Sequence, residues 1–433
     1  MFLLSIFSKY SAIFCGLTLL CWQGFSSMAV AVDQIIEAVV DASPVERSQL
    51  IMTIPFDKNT TKPQSVSVST AEGESIPAQI LSTDLNNPLA NFEIVLQIPK
   101  IAKNKSLALK IALGEKSKTS HSFQWKLDKS LKNDMAKWST TPDLFYDNHL
   151  VLRYMNPTYD EKETPNKKDN FNPTFKVYHH LFANDGKTLL TNGSEGIYPH
   201  HRGIFWGFNV IKYNKIQCDI WHGRKGTHQK HDQVLLTEAG PVCGIEQLGI
   251  KWVGPDQTII ANETRELKVY HIPNGSIIDF SAKLTTELEK VHLDGDPQHA
   301  GFHFRASHWV EKMTTKETYF LRPTGKGKLN QEINWIPKTK QGPVNLSWNA
   351  MCVVIQGERY TILYLDHPEN PKECRQSERC YGRIGNYFEY DLTPQKPLSV
   401  KYRLWVQKGE MTLEECQQRS EEFTKQTSVH LKK

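Results

Sequence analysis

The chain has 433 residues, 39% of them hydrophobic, and sets 52 Lys and Arg against 47 Asp and Glu for a formal charge of +5. That length exceeds one ordinary domain, and a positive balance so slight and so evenly spread excludes the concentrated basic face of a nucleic-acid binder. Residues 1–31 read as a cleavable export signal: Lys9, the apolar run Ser11 to Cys21, and small residues ending in Ala29-Val30-Ala31. The run is too short for a membrane span of about 20 residues, and no later stretch approaches that length. The expectation is a secreted or periplasmic protein with no transmembrane segment after signal cleavage.

Residues 32–115 read as a small accessory β-sandwich. Val66 and Val68 alternate with serines, Ile94, Leu96 and Ile98 alternate, and Leu107, Leu109, Ile111 and Leu113 hold period 2. A turn is expected at Asn86-Asn87-Pro88. Residues 116–140, rich in Lys and Ser, read as a linker, and Thr158 to Asn170 as an exposed loop.

Residues 141–433 read as a large β-sandwich. Ile278, Phe280, Ala282 and Leu284 alternate, as do Val400, Tyr402, Leu404 and Val406. Met351 to Leu365 reads as a hairpin around Gln356-Gly357-Glu358-Arg359. One helix is expected near the end, where Thr412 and Glu415 form a capping box ahead of Cys416 to Phe423. Many strands and one helix mean an all-β architecture of packed sheets. Once the signal is gone, Cys218, Cys243, Cys352, Cys374, Cys380 and Cys416 remain, an even number that permits disulfides in an exported chain. Spacing selects no pairing among them, although Cys374 and Cys380 are near enough to close one loop.

Histidine usage is the most informative feature. Twelve of the 16 histidines fall between His179 and His308, and this side chain supplies general acids and bases, metal ligands and hydroxyl partners. The densest motif is Tyr198-Pro199-His200-His201-Arg202-Gly203-Ile204-Phe205-Trp206. Adjacent histidines on a strand point to opposite faces unless the backbone turns, and Pro199 and Gly203 supply such a turn. In Gln298-His299-Ala300-Gly301-Phe302-His303-Phe304-Arg305, His299, Gly301, His303 and Arg305 share one face of a strand and Ala300, Phe302 and Phe304 the other; a solvent-facing edge weighs evenly against a site-lining strand. Trp221-His222-Gly223 places His222 at a pocket rim, and Asp366-His367-Pro368-Glu369-Asn370-Pro371 ends a strand. Tyr381-Gly382-Arg383-Ile384-Gly385 lacks the strand-to-helix setting of a phosphate loop and is set aside. No H-E-x-x-H, H-x-H or helical E-x-x-H pair is present, so no cofactor is assigned and a bound metal is left open.

These motifs resemble the PmoA-like family of exported bacterial proteins. The resemblance runs from about Leu144 to Val406 through Asn184-Asp185-Gly186-Lys187, Pro199 to Gly203 with Phe205-Trp206, Trp221, Gly301 to Arg305 and Leu365 to Pro371. It implies a sandwich of the galactose-mutarotase-like kind, the supersandwich used by sugar epimerases, hydrolases and lyases. The methane-oxygenase activity in the family label does not carry over, because it belongs to a protein with several membrane spans.

The leading expectation is a secreted carbohydrate-active enzyme, a hydrolase, lyase or epimerase on a glycan or sugar derivative. His201, His303 and Asp366 are assigned acid/base roles. His200, Arg202, Trp206, Trp221, His222, His299, Arg305 and His367 are assigned to substrate, with Trp206 or Trp221 as walls. His201, Arg202, His303, Arg305 and Asp366 are expected to line one pocket on the large sandwich. The rivals are a non-catalytic glycan-binding envelope protein and a metal-dependent oxygenase, which would need about three histidines to converge.

Overall fold

Two large antiparallel sheets face each other across the main core. A computed structural model describes residues 34–56, 60–82, 85, 90–114, 120–127, 137–163, 172–425 and 428–432. The signal, the Asn86-Asn87-Pro88 turn and parts of the linker and of the 158–170 loop lie outside the described residues.

The first large sheet has eight strands in the order Arg375–Arg379, Arg383–Tyr387, Ala300–Arg305, Ile204–Phe208, Tyr178–Leu181, His149–Met155, Asp143–Tyr146 and Phe123–Lys126. The last of these lies inside the stretch read as a linker. Its four residues are too few to stand out among flanking Ser and Lys, and pairing with Asp143–Tyr146 makes the strand. The second sheet has nine strands, with Gly275–Thr285, Leu398–Lys408, Glu358–Asp366 and Trp348–Ile355 side by side in its middle. The alternating apolar residues read from the sequence become cross-strand neighbours here: Ile278 opposes Leu404, Phe280 opposes Tyr402 and Ala282 opposes Val400. All six are buried.

The core is formed by the facing sides of these sheets. Phe302 stacks on Phe280 at 4.3 Å and on Tyr402 at 4.7 Å between ring centroids, and Trp206 meets Trp252 edge-on at 5.8 Å. The strand Ala300–Arg305 sends Phe302 and Phe304 into this core. Alternation therefore sends His303 and Arg305 to the outer face of the eight-stranded sheet. The hairpin turns at Gln356-Gly357, both with positive φ (51° and 84°), as the tightest hairpin loops require. The C-terminal helix is Leu413–Thr424, with the Thr412 and Glu415 capping box formed.

The N-terminal strands form a five-stranded sheet and a three-stranded sheet enclosing their own cluster, which includes Val68, Ile94, Leu96, Ile98 and Ile111. The five-stranded sheet takes in the strand Val429–Lys432, which pairs with Gln34–Val40. A second shared cluster joins Leu81 and Val95 to Val242, Ile245 and Trp405 of the nine-stranded sheet, and Asp33–Lys433 forms one compact unit. The six cysteines among the described residues are buried free thiols. The 374–380 loop is thus closed by packing and strand pairing, with no disulfide between Cys374 and Cys380.

Candidate functional site

Loops gather over the outer face of the eight-stranded sheet. At the motif 198–203 the His201 amide bonds the Tyr198 carbonyl at 3.0 Å, closing a turn. The chain leaves the turn through Gly203 at φ +45°, where an added Cβ would lie 2.1 Å from the His179 carbonyl oxygen. This turn brings the two adjacent imidazoles onto one side, 4.2 Å apart. Lys176, fully buried, fixes the turn from below. Its Nζ donates to the His200 carbonyl at 2.6 Å and lies 3.5 Å from the centre of the Phe205 ring. Burial, then the Arg202 charge, push its pKa well below the usual lysine value.

Two further imidazoles complete the cluster. The His222 ring lies 4.6 Å from His200 and 4.6 Å from His299, and His201 stacks on His299 at 5.3 Å. His222 Nδ1 pairs with Asp219 Oδ2 at 2.7 Å, and His299 Nδ1 with both Asp296 oxygens at 3.0 Å. Each aspartate stands three residues before its histidine, and each is itself held: Asp219 Oδ1 accepts the His222 amide at 2.9 Å, and Asp296 accepts from the Gln298 amide at 2.9 Å and from Asn209 Nδ2 at 2.8 Å. These carboxylates fix the tautomer, so that Nε2 becomes the working nitrogen. Burial works to raise the Asp296 pKa, but its bonds to His299 prevail and hold it at about 2. Burial lowers the His200, His201 and His299 pKa values, assisted at His200 by His222 and at His201 by His200. Neutral imidazoles result.

His222 and His299 line a cavity of about 540 Å³ with Asn209, Gln217, Thr227 and Lys225. On the opposite flank of the imidazoles Tyr198 and Tyr381 pack at 4.5 Å. Among the described residues, His200, His222 and His299 each offer a nitrogen within 4.8 Å of the other two. They are the residues here that could hold a metal.

Residues 141–421 match the family described as "Family of unknown function (DUF6807)". The chain belongs to this family. Every histidine of the cluster falls within the DUF6807 region, and the N-terminal sheets mostly precede it. The comparison with curated proteins found no match. Among solved structures, an alpha-mannosidase from Enterococcus faecalis V583 is similar over 92% of this chain and 46% of its own, at 10% identity and TM-score 0.46. A glycosyl hydrolase family 38 protein from Enterococcus faecalis is similar over 92% and 47%, at 10% identity and TM-score 0.45. The chain thus spans about half the length of these structures.

Within the DUF6807 region the expected site residues divide. His200, His201, His222 and His299 come together. His303 sits behind them, edge-on to Trp221 at 4.6 Å. It is no acid/base group: Nε2 donates to the Ala300 carbonyl at 2.8 Å and Nδ1 accepts from Arg383 at 2.8 Å, so both nitrogens are committed. Arg202 is likewise structural. It donates to the Pro199 and Pro173 carbonyls at 2.8 and 2.6 Å and clamps its own turn to the loop that precedes the strand Tyr178–Leu181. Arg305 is occupied by Glu311 and the Tyr381 carbonyl, and its guanidinium lies over the Tyr381 ring at 4.6 Å. It positions Tyr381 and does not reach the cavity.

Trp206 lies in the central core, on the opposite face from the site, because strand alternation sends Phe205 outward in its place. Trp221 is on the site side but fully buried beneath the histidines, a floor and not a stacking platform. Asp366 is spent elsewhere, accepting from Asn370 at 2.6 Å and from Lys372 at 2.9 Å. His367 packs edge-on against Phe423 of the C-terminal helix at 5.4 Å. The polar stripe from His299 to Arg305 is no solvent edge, since every residue of Ala300–Arg305 is buried.

Several residues of the site were not read from the sequence. Tyr381 and Arg383 belong to the glycine-rich motif set aside as a phosphate loop, and Lys176 is a lone lysine in an apolar run. Asp219 and Asp296 had a signal that was available: Asp-x-x-His occurs at both 219–222 and 296–299.

Proposed function

We propose that the chain is an exported carbohydrate-active enzyme and that the histidine-lined cavity is its active site. The observation that carries this reading is the pair of aspartate-backed imidazoles, His222 and His299, opening on one cavity. A carboxylate behind Nδ1 holds the ring and raises its basicity, and the far nitrogen then exchanges a proton with a bound group. A volume of about 540 Å³ lies in the usual range for small-molecule sites. Asn209, Gln217 and Thr227 provide the donors and acceptors that hydroxyl groups need. Lys225 and Arg224 add positive charge at the same cavity, which suits a carboxylated sugar. Hydrolysis, β-elimination and epimerisation all draw on these parts.

The test is a turnover screen on glycans, uronides and keto-sugar glycosides. Turnover that disappears in His222→Ala and in His299→Ala, with the thermal midpoint preserved, supports the proposal. Binding of a glycan without turnover of any member would transfer the site to a recognition protein.

A further inference from the structure

We infer that His200, His222 and His299 hold one divalent first-row transition-metal ion. The inference rests on the reading of the cavity as an active site and names an electrophile for it. The three ligand nitrogens lie within 4.8 Å of one another although they come from three separate segments: the turn at 198–201, the loop after the strand Ile216–Cys218, and the loop before the strand Ala300–Arg305. A tetrahedral ion with metal–nitrogen bonds of about 2.0–2.1 Å needs its ligands about 3.4 Å apart, so binding draws these nitrogens closer together.

Two features beyond proximity point to a metal. Histidines that ligate metals nearly always give their other nitrogen to a carboxylate or carbonyl, which orients the ring and increases its donor strength. Asp219 and Asp296 do this for His222 and His299, and both aspartates are locked by further hydrogen bonds. In addition, two of the three ligands line the cavity, so a fourth position faces the space where substrate would sit, as in catalytic and unlike closed structural sites. An all-imidazole set suits zinc, copper, nickel or iron over magnesium or calcium, which take oxygen ligands. The ion would polarise a substrate oxygen or a bound water. His201, stacked on His299 at 5.3 Å, then stays as the adjacent imidazole outside the ligand set. The other close group, His292, Asp294 and Glu389, is a weaker candidate because it is solvent-accessible, with Glu389 exposed, and exposed acidic groups commonly gather without an ion.

The test uses the full chain, stripped with a chelator and titrated with Co²⁺ or Zn²⁺ alone, without substrate. One equivalent of Co²⁺ is expected to bind with a visible d–d band that Zn²⁺ abolishes. His222→Ala and His299→Ala should weaken binding by about 100-fold or more, Asp219→Asn and Asp296→Asn by about 10–100-fold, and Asp294→Asn not at all. If the alanine variants fail to fold, the asparagine variants, which keep all three ligands, carry the comparison. A folded chain that takes up neither ion, or one whose uptake is unchanged in His299→Ala, overturns the inference. Metal uptake without sugar turnover would defeat only the proposed activity, and metal-free turnover only the metal.

Discussion

Two histidine–carboxylate pairs in this molecule have nearly the same immediate chemistry and different prospects. His179 pairs with Glu246 at 2.7 Å, and His222 pairs with Asp219 at the same 2.7 Å. His179 is buried between the two sheets, its ring against Tyr154 at 4.8 Å, and His180 beside it bonds Thr191 at 3.0 Å. His222 and His299 turn their far sides to a cavity. A carboxylate behind an imidazole is therefore an ingredient of a site and not its signature; what lies beyond the second nitrogen decides.

The comparison can be broken in four ways. The largest effect is expected at His222→Ala. Turnover should fall by about 10²–10⁴-fold while the thermal midpoint, read by calorimetry, stays within about 3 °C. A midpoint collapse without a kinetic defect in the surviving folded protein would put His222 with His179. Gly203→Ala touches both regions, since its Cβ would meet the His179 carbonyl at 2.1 Å and φ there is +45°. A loss of about 2–4 kcal/mol in denaturant unfolding is expected.

Glu246→Ala removes the partner of a buried histidine and should destabilise by about 1.5–3 kcal/mol. Turnover per folded molecule should be unchanged, and a kinetic defect there would erase the distinction between the pairs. The last effect appears only in acid. Burial, then the Arg153 charge, hold the His180 pKa down at about 3, so below its ordinary value of 6.5 the unfolded chain binds the extra proton. Stability from this group is thus complete above about pH 6.5 and declines as pH falls towards 3. His180→Gln should flatten that part of the stability–pH curve. An unaltered slope would show that His180 titrates normally.

The strand periodicities at 278–284 and 400–406, the Gln356-Gly357 hairpin and the Thr412 and Glu415 capping box were legible in the sequence because alternation of faces, a two-residue turn and a helix cap are each written in residues a few positions apart, whichever strand then pairs alongside. So was the turn that brings His200 and His201 to one side, since a proline and a left-handed glycine bracket it. The concentration of histidines also marked the segment that supplies the candidate cluster. Tertiary structure decided the rest. Alternation separates Phe205 from Trp206 in any strand, but only packing against the nine-stranded sheet determines which of them enters the core. Whether His303 or His299 is available depends on Arg383, which reaches His303 only because the strand Arg383–Tyr387 pairs with Ala300–Arg305. Asp366, assigned to the site for its chemistry, sits on the other sheet with Lys372. Side-chain type and local backbone preference act over a few residues, whereas the site is assembled by the register and stacking of strands far apart in the chain, which burial of the whole core selects.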